Sequence, residues 1–307
     1  MKFSVFQVSR KGGRAKNEDR MGYCYTRESA VFLLADGMGG HPEGEVAAEL
    51  ALQAIAGLFQ KRARPLLADV PAFLSEALLS AHRQILRYAM DSSALDTPRT
   101  TIVLAVLQAG NLSWTHCGDS RMYLVRQSAL LMRTKDHSLL EQNLLRVAGG
   151  DKVNSHNRNV LFSCLGSPAK PVFSVAGPVP LQQNDRVMLC SDGLWSSVSE
   201  DDIVFELSQK PVDSAVPDLV EKALRQGGQH SDNVTCIAFE WVVPEAFESS
   251  RVGVSTDSIS EGVFASTVQA GWVEPSVNET DDMDDAAIER SVAEINEAIR
   301  RSAVKKT

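Results

Sequence analysis

Phe32-Leu-Leu-Ala-Asp-Gly-Met-Gly-Gly-His-Pro-Glu-Gly-Glu45 decides how this chain is read. An apolar run, Val31 to Ala35, stops at an acid, Asp36. Gly37, Gly39 and Gly40 follow, and a long apolar-periodic segment begins directly after. The pattern predicts a buried strand, a tight turn and a helix from about Pro42 to Lys61. An acid at a strand end, beside glycine backbone that leaves its carbonyls bare, suits a hard cation. Taken alone, it more often marks a satisfied turn aspartate. The same arrangement recurs downstream at Ser191-Asp192-Gly193.

Working outward, residues 2–9 read as a strand and residues 11–20, KGGRAKNEDR, as a loop holding Arg14, Glu18 and Asp19. That loop is either a solvated charged turn or an anion-binding Arg beside metal-holding carboxylates. The first helix is expected to bury Ala47, Leu50, Ala51, Ala54, Ile55 and Leu58. A second helix is expected over about 70–90, with no role assigned to His82. Strands are expected at 100–107, 112–117 and 122–125, the last two joined as a hairpin around Gly118-Asp119-Ser120. Ser138 and Glu141 form a capping box ahead of a helix ended by Gly149 and Gly150, then a surface loop to Asn159. Strands at 172–176 and 186–190, helices from Ser199 and over about 217–226, and a last strand after Asp232-Asn233 complete the body. Helices do not alternate singly with strands, which disfavours a doubly wound parallel sheet.

The chain has 307 residues, 44% hydrophobic, with a formal net charge of -8. From residue 242 onward there are 13 acids against 6 bases, leaving 26 against 25 in the body. A body without basic excess argues against nucleic acid as a partner. Five cysteines, none in a C-x-x-C, argue against disulfides and zinc. No apolar run is long enough to span a bilayer and no signal-type core opens the chain, so a cytoplasmic protein is expected. Residues 243–285 read as an acidic, flexible linker. In 286–307, Ile288, Val292, Ile295 and Ile299 predict an amphipathic helix that docks in cis or binds a partner.

Asp36, Asp119, Asp192 and Asp232 each sit where a strand meets a turn, and such ends can converge in a layered sheet. Converging carboxylates repel unless a cation joins them, and oxygen ligands select Mg or Mn over Zn. Two such ions can activate water and stabilise an in-line displacement, with Arg14 clamping a phosphoryl group. These parts suit phosphate ester hydrolysis.

Arg14-Ala-Lys-Asn-Glu18-Asp19, Ala35-Asp36-Gly37-Met38-Gly39-Gly40-His41, Gly118-Asp119-Ser120-Arg121, Asp136-His137-Ser138, Leu189-Cys190-Ser191-Asp192-Gly193-Leu194-Trp195 and Ser231-Asp232-Asn233-Val234-Thr235 occur in one order. In that order they resemble the metal-dependent PPM family, the protein phosphatase 2C-type Ser/Thr phosphatases, over residues 1–242. The short loops resemble its stand-alone bacterial branch. The resemblance implies an α+β, four-layer α-β-β-α sandwich of two antiparallel sheets flanked by helices. It implies that Asp36 bridges two Mn2+ or Mg2+ ions and that the Gly37 carbonyl binds one. Asp192 and Asp232 would hold the other, and Glu18 would reach an ion through water. Arg14 would bind the substrate phosphate, Asp19 would orient water, and Asp119 with Asp192 would form a weaker third site. It implies direct attack of metal-bound hydroxide on phosphoserine and phosphothreonine in proteins, opposing a Ser/Thr kinase. Met38 stands where many members carry a proposed general acid, which leaves another donor to be found, His41 among them. Ser196 replaces a common Asp, and Arg99 a common Gly to which no role is assigned. A pseudophosphatase and a phosphatase for small esters are the competing functions.

Overall fold

The computed structural model describes residues 2–93, 95–139, 141 and 160–242. Two five-stranded antiparallel sheets face each other. The first contains β1 (Phe3–Arg10), β6 (Arg121–Arg126), β7 (Ala129–Arg133), β9 (Arg186–Cys190) and β10 (Val234–Trp241), in the order β1-β10-β9-β6-β7. The second contains β2 (Arg20–Tyr25), β3 (Ser29–Ala35), β4 (Ile102–Gln108), β5 (Asn111–Cys117) and β8 (Val175–Pro180), in sequence order. Helices α1 (Gly44–Arg62) and α2 (Val70–Asp91) cover the outer face of the second sheet. The single turn α3 (Asp192–Trp195), with α4 (Glu200–Gln209) and α5 (Val212–Gly227), covers the first. The expected α-β-β-α layering is what forms.

Buried residues divide into three apolar layers, one under each helix pair and one between the sheets. In the middle layer Phe32 stacks on Phe239, ring centroids 4.2 Å apart. β3 is buried at every position because both its faces are covered, which is why it reads as a continuous apolar run. The helix starts follow local chemistry. Asp69 accepts the Ala72 N–H at 2.9 Å and Ser199 that of Asp202 at 3.2 Å, capping α2 and α4.

Several expectations need correction. β5 and β6 are not a hairpin: β5 pairs with β4 and β8, β6 with β7 and β9. The Gly118–Ser120 turn carries the chain from one sheet to the other. α1 begins at Gly44, after Pro42, and its buried face is Ala47, Ala48, Ala51, Leu52, Ile55, Ala56 and Phe59; Leu50, Ala54 and Leu58 are only partly buried. α5 starts at Val212, upstream of Pro217, and β8 starts at Val175. β2 and β7 were not expected. The Glu141 N–H does reach Ser138 Oγ, 3.3 Å. The rest of the helix expected after Ser138, the loop to Asn159, the linker and the C-terminal helix lie outside the described residues.

Register explains how distant acids meet. Arg20 pairs with Ala35, Leu34 with Val103 and Ile102 with Cys117. The start of β2 and the ends of β3 and β5 therefore share one end of the second sheet. In the first sheet Arg10 pairs with Val234, and Cys190 with both Cys236 and Arg121. The end of β9 and the start of β10 share an end in the same way. The acids stand just beyond these termini.

Candidate active site

One cavity of ≈ 700 Å³ is lined by Arg14, Glu18, Asp36, Gly37, Asp119, Asp192 and Asp232. Every predicted site residue except Asp19 reaches it. Asp19 lies behind the wall, 3% exposed, where Ser191 Oγ donates to its Oδ2 at 2.8 Å. Its Oδ1 is buried without a hydrogen-bond partner among the described residues.

Backbone contacts hold the Asp36 turn rigid. The Asp36 carbonyl accepts from Thr101 N–H and Thr100 Oγ1, both at 2.8 Å, and the Asp36 N–H donates to Thr101 Oγ1 at 3.3 Å. Gly37 cannot be anything larger, since a Cβ there would lie 2.5 Å from the Gly44 backbone and 2.8 Å from the Glu18 carbonyl. Gly193 is as constrained, with the Asn233 carbonyl 2.1 Å from where its Cβ would stand. Asn233 ties the 11–18 loop to β10. Its Oδ1 accepts the Glu18 N–H at 2.8 Å, and its Nδ2 donates to the Lys11 and Lys16 carbonyls at 2.7 and 2.9 Å. These contacts decide where Glu18 and Arg14 stand.

The electrostatics are those of anions crowded together. Burial first, then the charges of Asp19, Asp192, Asp119 and Asp232, hold the Asp36 carboxyl well above the ordinary carboxylate range. The Asp192 carboxyl is pushed up to about 8, by burial and then by Asp119 and Asp232. That of Asp19 is pushed up to about 6, mainly by burial. Glu18 is raised by burial and by Glu45. One cation answers directly: Arg14 Nη2 lies 2.6 Å from Asp232 Oδ2. As the side chains stand, no three His, Cys, Asp or Glu among the described residues close on one ion-sized point. The donor set nevertheless fits a hard divalent cation. It is all oxygen, and burial with mutual repulsion disfavours the Asp36 and Asp192 carboxylates, a crowding that a divalent cation relieves.

His41 also lines the cavity, with Nδ1 2.8 Å from Asp96 Oδ2. Arg99 lies 3.4 Å from Asp96 Oδ1, and its carbonyl accepts the Met38 N–H at 3.0 Å. The Arg99 side chain thus braces Asp96, while its backbone, as any residue's would, holds the Asp36 turn.

A model of the family described as protein phosphatase 2C matches residues 8–226. The chain belongs to the protein phosphatase 2C family. It is 32% identical to the serine/threonine phosphatase stp of Listeria welshimeri over 241 residues, 76% of this chain and 94% of that one. It is 35% identical over 234 residues to the serine/threonine protein phosphatase PstP of Mycobacterium tuberculosis, 75% of this chain and 43% of that one. A solved PstP catalytic domain, in complex with two manganese ions, superposes with a TM-score of 0.65 at 30% identity, covering 78% of this chain and 99% of that one. This family member is a protein-serine/threonine phosphatase, a phosphoric monoester hydrolase.

The family's Asp136-His137-Ser138 motif serves the turn that carries Asp119. His137 donates its N–H to the Gly118 carbonyl at 2.9 Å and accepts the Gly118 N–H on Nδ1 at 3.3 Å. Its ring stacks on His116, centroids 4.4 Å apart. Burial, then His116, hold the His137 imidazole down at about 4. The native state therefore excludes a proton that the unfolded chain binds below about 6.5. Stability from this group is present above pH 6.5 and is lost as pH falls toward 4. Urea melts of the metal-free protein should show that loss, and His137→Asn should flatten it; equal slopes in both proteins would refute the account.

Asn233, Ser191 and Thr101 are site residues that sequence reasoning missed. Asn233 and Ser191 were legible only as members of motifs, and nothing local pointed to Thr101.

Proposed function

We propose that this phosphatase hydrolyses phosphoserine and phosphothreonine in proteins at a divalent-ion centre, with Mn2+ or Mg2+ as cofactor. Asp36 would bridge two ions, with the Gly37 carbonyl on one and Asp192 and Asp232 on the other. Glu18 would act through water, and Asp119 with Asp192 would hold a weaker third ion. The observation that carries the reading is the convergence of five carboxylates, from strand ends of both sheets, on one cavity with Arg14. Such ions, when bound, supply Lewis acidity for water and for phosphoryl oxygens.

The protein's own groups do the rest. Arg14 presents a planar fork that matches two phosphoryl oxygens. Asp19, behind the wall and beside the Asp36 carboxyl, would orient water from behind Asp36. Met38 has no proton to give the leaving alkoxide. His41 lines the same cavity, its Nδ1 2.8 Å from Asp96 Oδ2, and is the side chain offered in its place.

The substrates in this reading are phosphorylated proteins, and the opposing activity is a Ser/Thr kinase. Support comes from the relatives' names and from a body without basic excess. Five buried cysteines, none in a C-x-x-C, suit a reducing cytoplasm. Among the described residues no helix is long and apolar enough to cross a membrane. Residues 1–242 would be the catalytic domain.

Mn-dependent phosphate release from a phosphothreonine peptide, abolished by chelator, is the expected result. Release should fall at least tenfold when a small phosphate ester of equal concentration replaces the peptide. No release with metal would leave a phosphoprotein-binding module; faster release from the small ester would reassign the substrate class.

A further inference from the structure

Asp119 and Asp192 belong to different sheets. Asp119 follows β5 of the second sheet, and Asp192 opens α3 at the end of β9 in the first. Something has to fix the gap between them. Trp195 stands three positions after Asp192 on the same helical turn. Its ring is buried, 7% exposed, and an indole N–H has no use but as a donor. It donates across the gap to the Asp119 carbonyl at 3.0 Å. One turn therefore carries both a carboxylate and the side chain that ties the facing turn to it.

The indole is itself held. The Arg121 guanidinium sits 3.5 Å from the Trp195 ring centroid, a desolvated cation–π contact. Arg121 cannot swing away, because Nε and Nη2 bind both oxygens of buried Asp136 at 2.8 and 2.7 Å. A third nitrogen, Nη1, donates to Tyr123 Oη at 3.2 Å. On the opposite side of the Asp119 turn, Ser120 Oγ and Thr101 Oγ1 are 2.7 Å apart. The Asp119 turn is thus gripped from both sides by partners that do not use its carboxylate.

We infer that Trp195, clamped by Arg121 and Asp136, is a positioning residue that fixes the separation of Asp119 and Asp192 and thereby sets their affinity for the weaker ion. The inference rests on the ligand reading proposed above. Ser196, the next residue, adds no carboxylate to the pair, so the inference concerns Asp119 and Asp192 alone.

The test is manganese calorimetry on the full chain. Trp195→Phe keeps an aromatic face for Arg121 and removes only the N–H. Supporting groups around a metal ligand are worth roughly 10–100-fold in affinity, so the weakest class of sites should lose about tenfold. The tight class, and KM for a phosphothreonine peptide, should stay at wild-type values. Turnover should fall at low manganese and recover at high. Arg121→Lys keeps the charge, loses the fork, and should shift the same class in the same direction; it carries the test if Trp195→Phe does not fold. Unchanged weak-class affinity in the folded variants overturns the inference, as does proportional weakening of every class. A wild-type chain that binds no manganese sinks the ligand reading and the inference together, whereas normal tight binding with an indifferent Trp195 sinks the inference alone.

Discussion

Asp36→Asn is expected to lower turnover of a phosphothreonine peptide about 1000-fold at saturating manganese while the fold persists. The magnitude follows from the several kcal/mol that ion-held charge stabilisation supplies to a phosphoryl transition state, each ~1.4 kcal/mol being tenfold in rate. Asparagine keeps the shape and the backbone contacts to Thr100 and Thr101, which use the Asp36 peptide and not its carboxylate. What it removes is a charge that burial and four neighbouring acids already disfavour. A carboxyl raised in the native state contributes stability below the ordinary carboxylate range and loses it as pH rises. Without metal, the variant should therefore melt at a higher temperature than wild type, by a margin that grows as pH rises above the ordinary carboxylate range. Calorimetric melts with chelator check this. A variant that keeps full activity contradicts the site, and one less stable than metal-free wild type at pH 8 contradicts the crowding argument.

That trade between stability and function explains what was legible in the sequence. Carboxylates at strand ends are poor for stability, so they stand out against apolar runs. Asp36 and Asp192 each interrupt such a run before a glycine that has no room for a side chain. The strand–acid–glycine rhythm and the order of six motifs carried the layered fold as well. The helical period likewise located α2, and Ser199 marked the start of α4.

What was hidden is what depends on distant partners. A strand, a Gly-Asp-Ser turn and another strand look like a hairpin until β6 finds β9, some sixty residues on. β2 escaped notice because it is short and interrupted by Gly22, and β7 because it is an edge with half-exposed positions. The face of α1 was misjudged because alanines dominate it, and alanine marks a face weakly. Pro217 resembled a helix start although the helix had already begun at Val212. Asn233, Ser191 and Trp195 act through contacts to Glu18, Asp19 and Asp119, all remote in the chain. No local pattern encodes a hydrogen bond across two hundred residues.

Arg14→Ala is the second large effect expected, a fall in kcat/KM of about 100-fold for the phosphopeptide. A charge-assisted hydrogen bond contributes roughly 1.5–3 kcal/mol net, and a forked guanidinium can offer two to one phosphoryl group. Arg14→Lys should recover only part of the loss, since a point charge replaces the fork. The structure adds a second consequence that charge alone would not suggest. Arg14 stands 2.6 Å from Asp232, so the same side chain neutralises a proposed metal ligand when no ion is there. An ion arriving at Asp232 must displace that contact. Removing the guanidinium should then tighten manganese binding at Asp232 while it weakens substrate use, two opposite signs from one substitution. Calorimetry beside steady-state kinetics separates them. Manganese affinity and kcat/KM falling together would show that Arg14 supports the ion and does not compete with it.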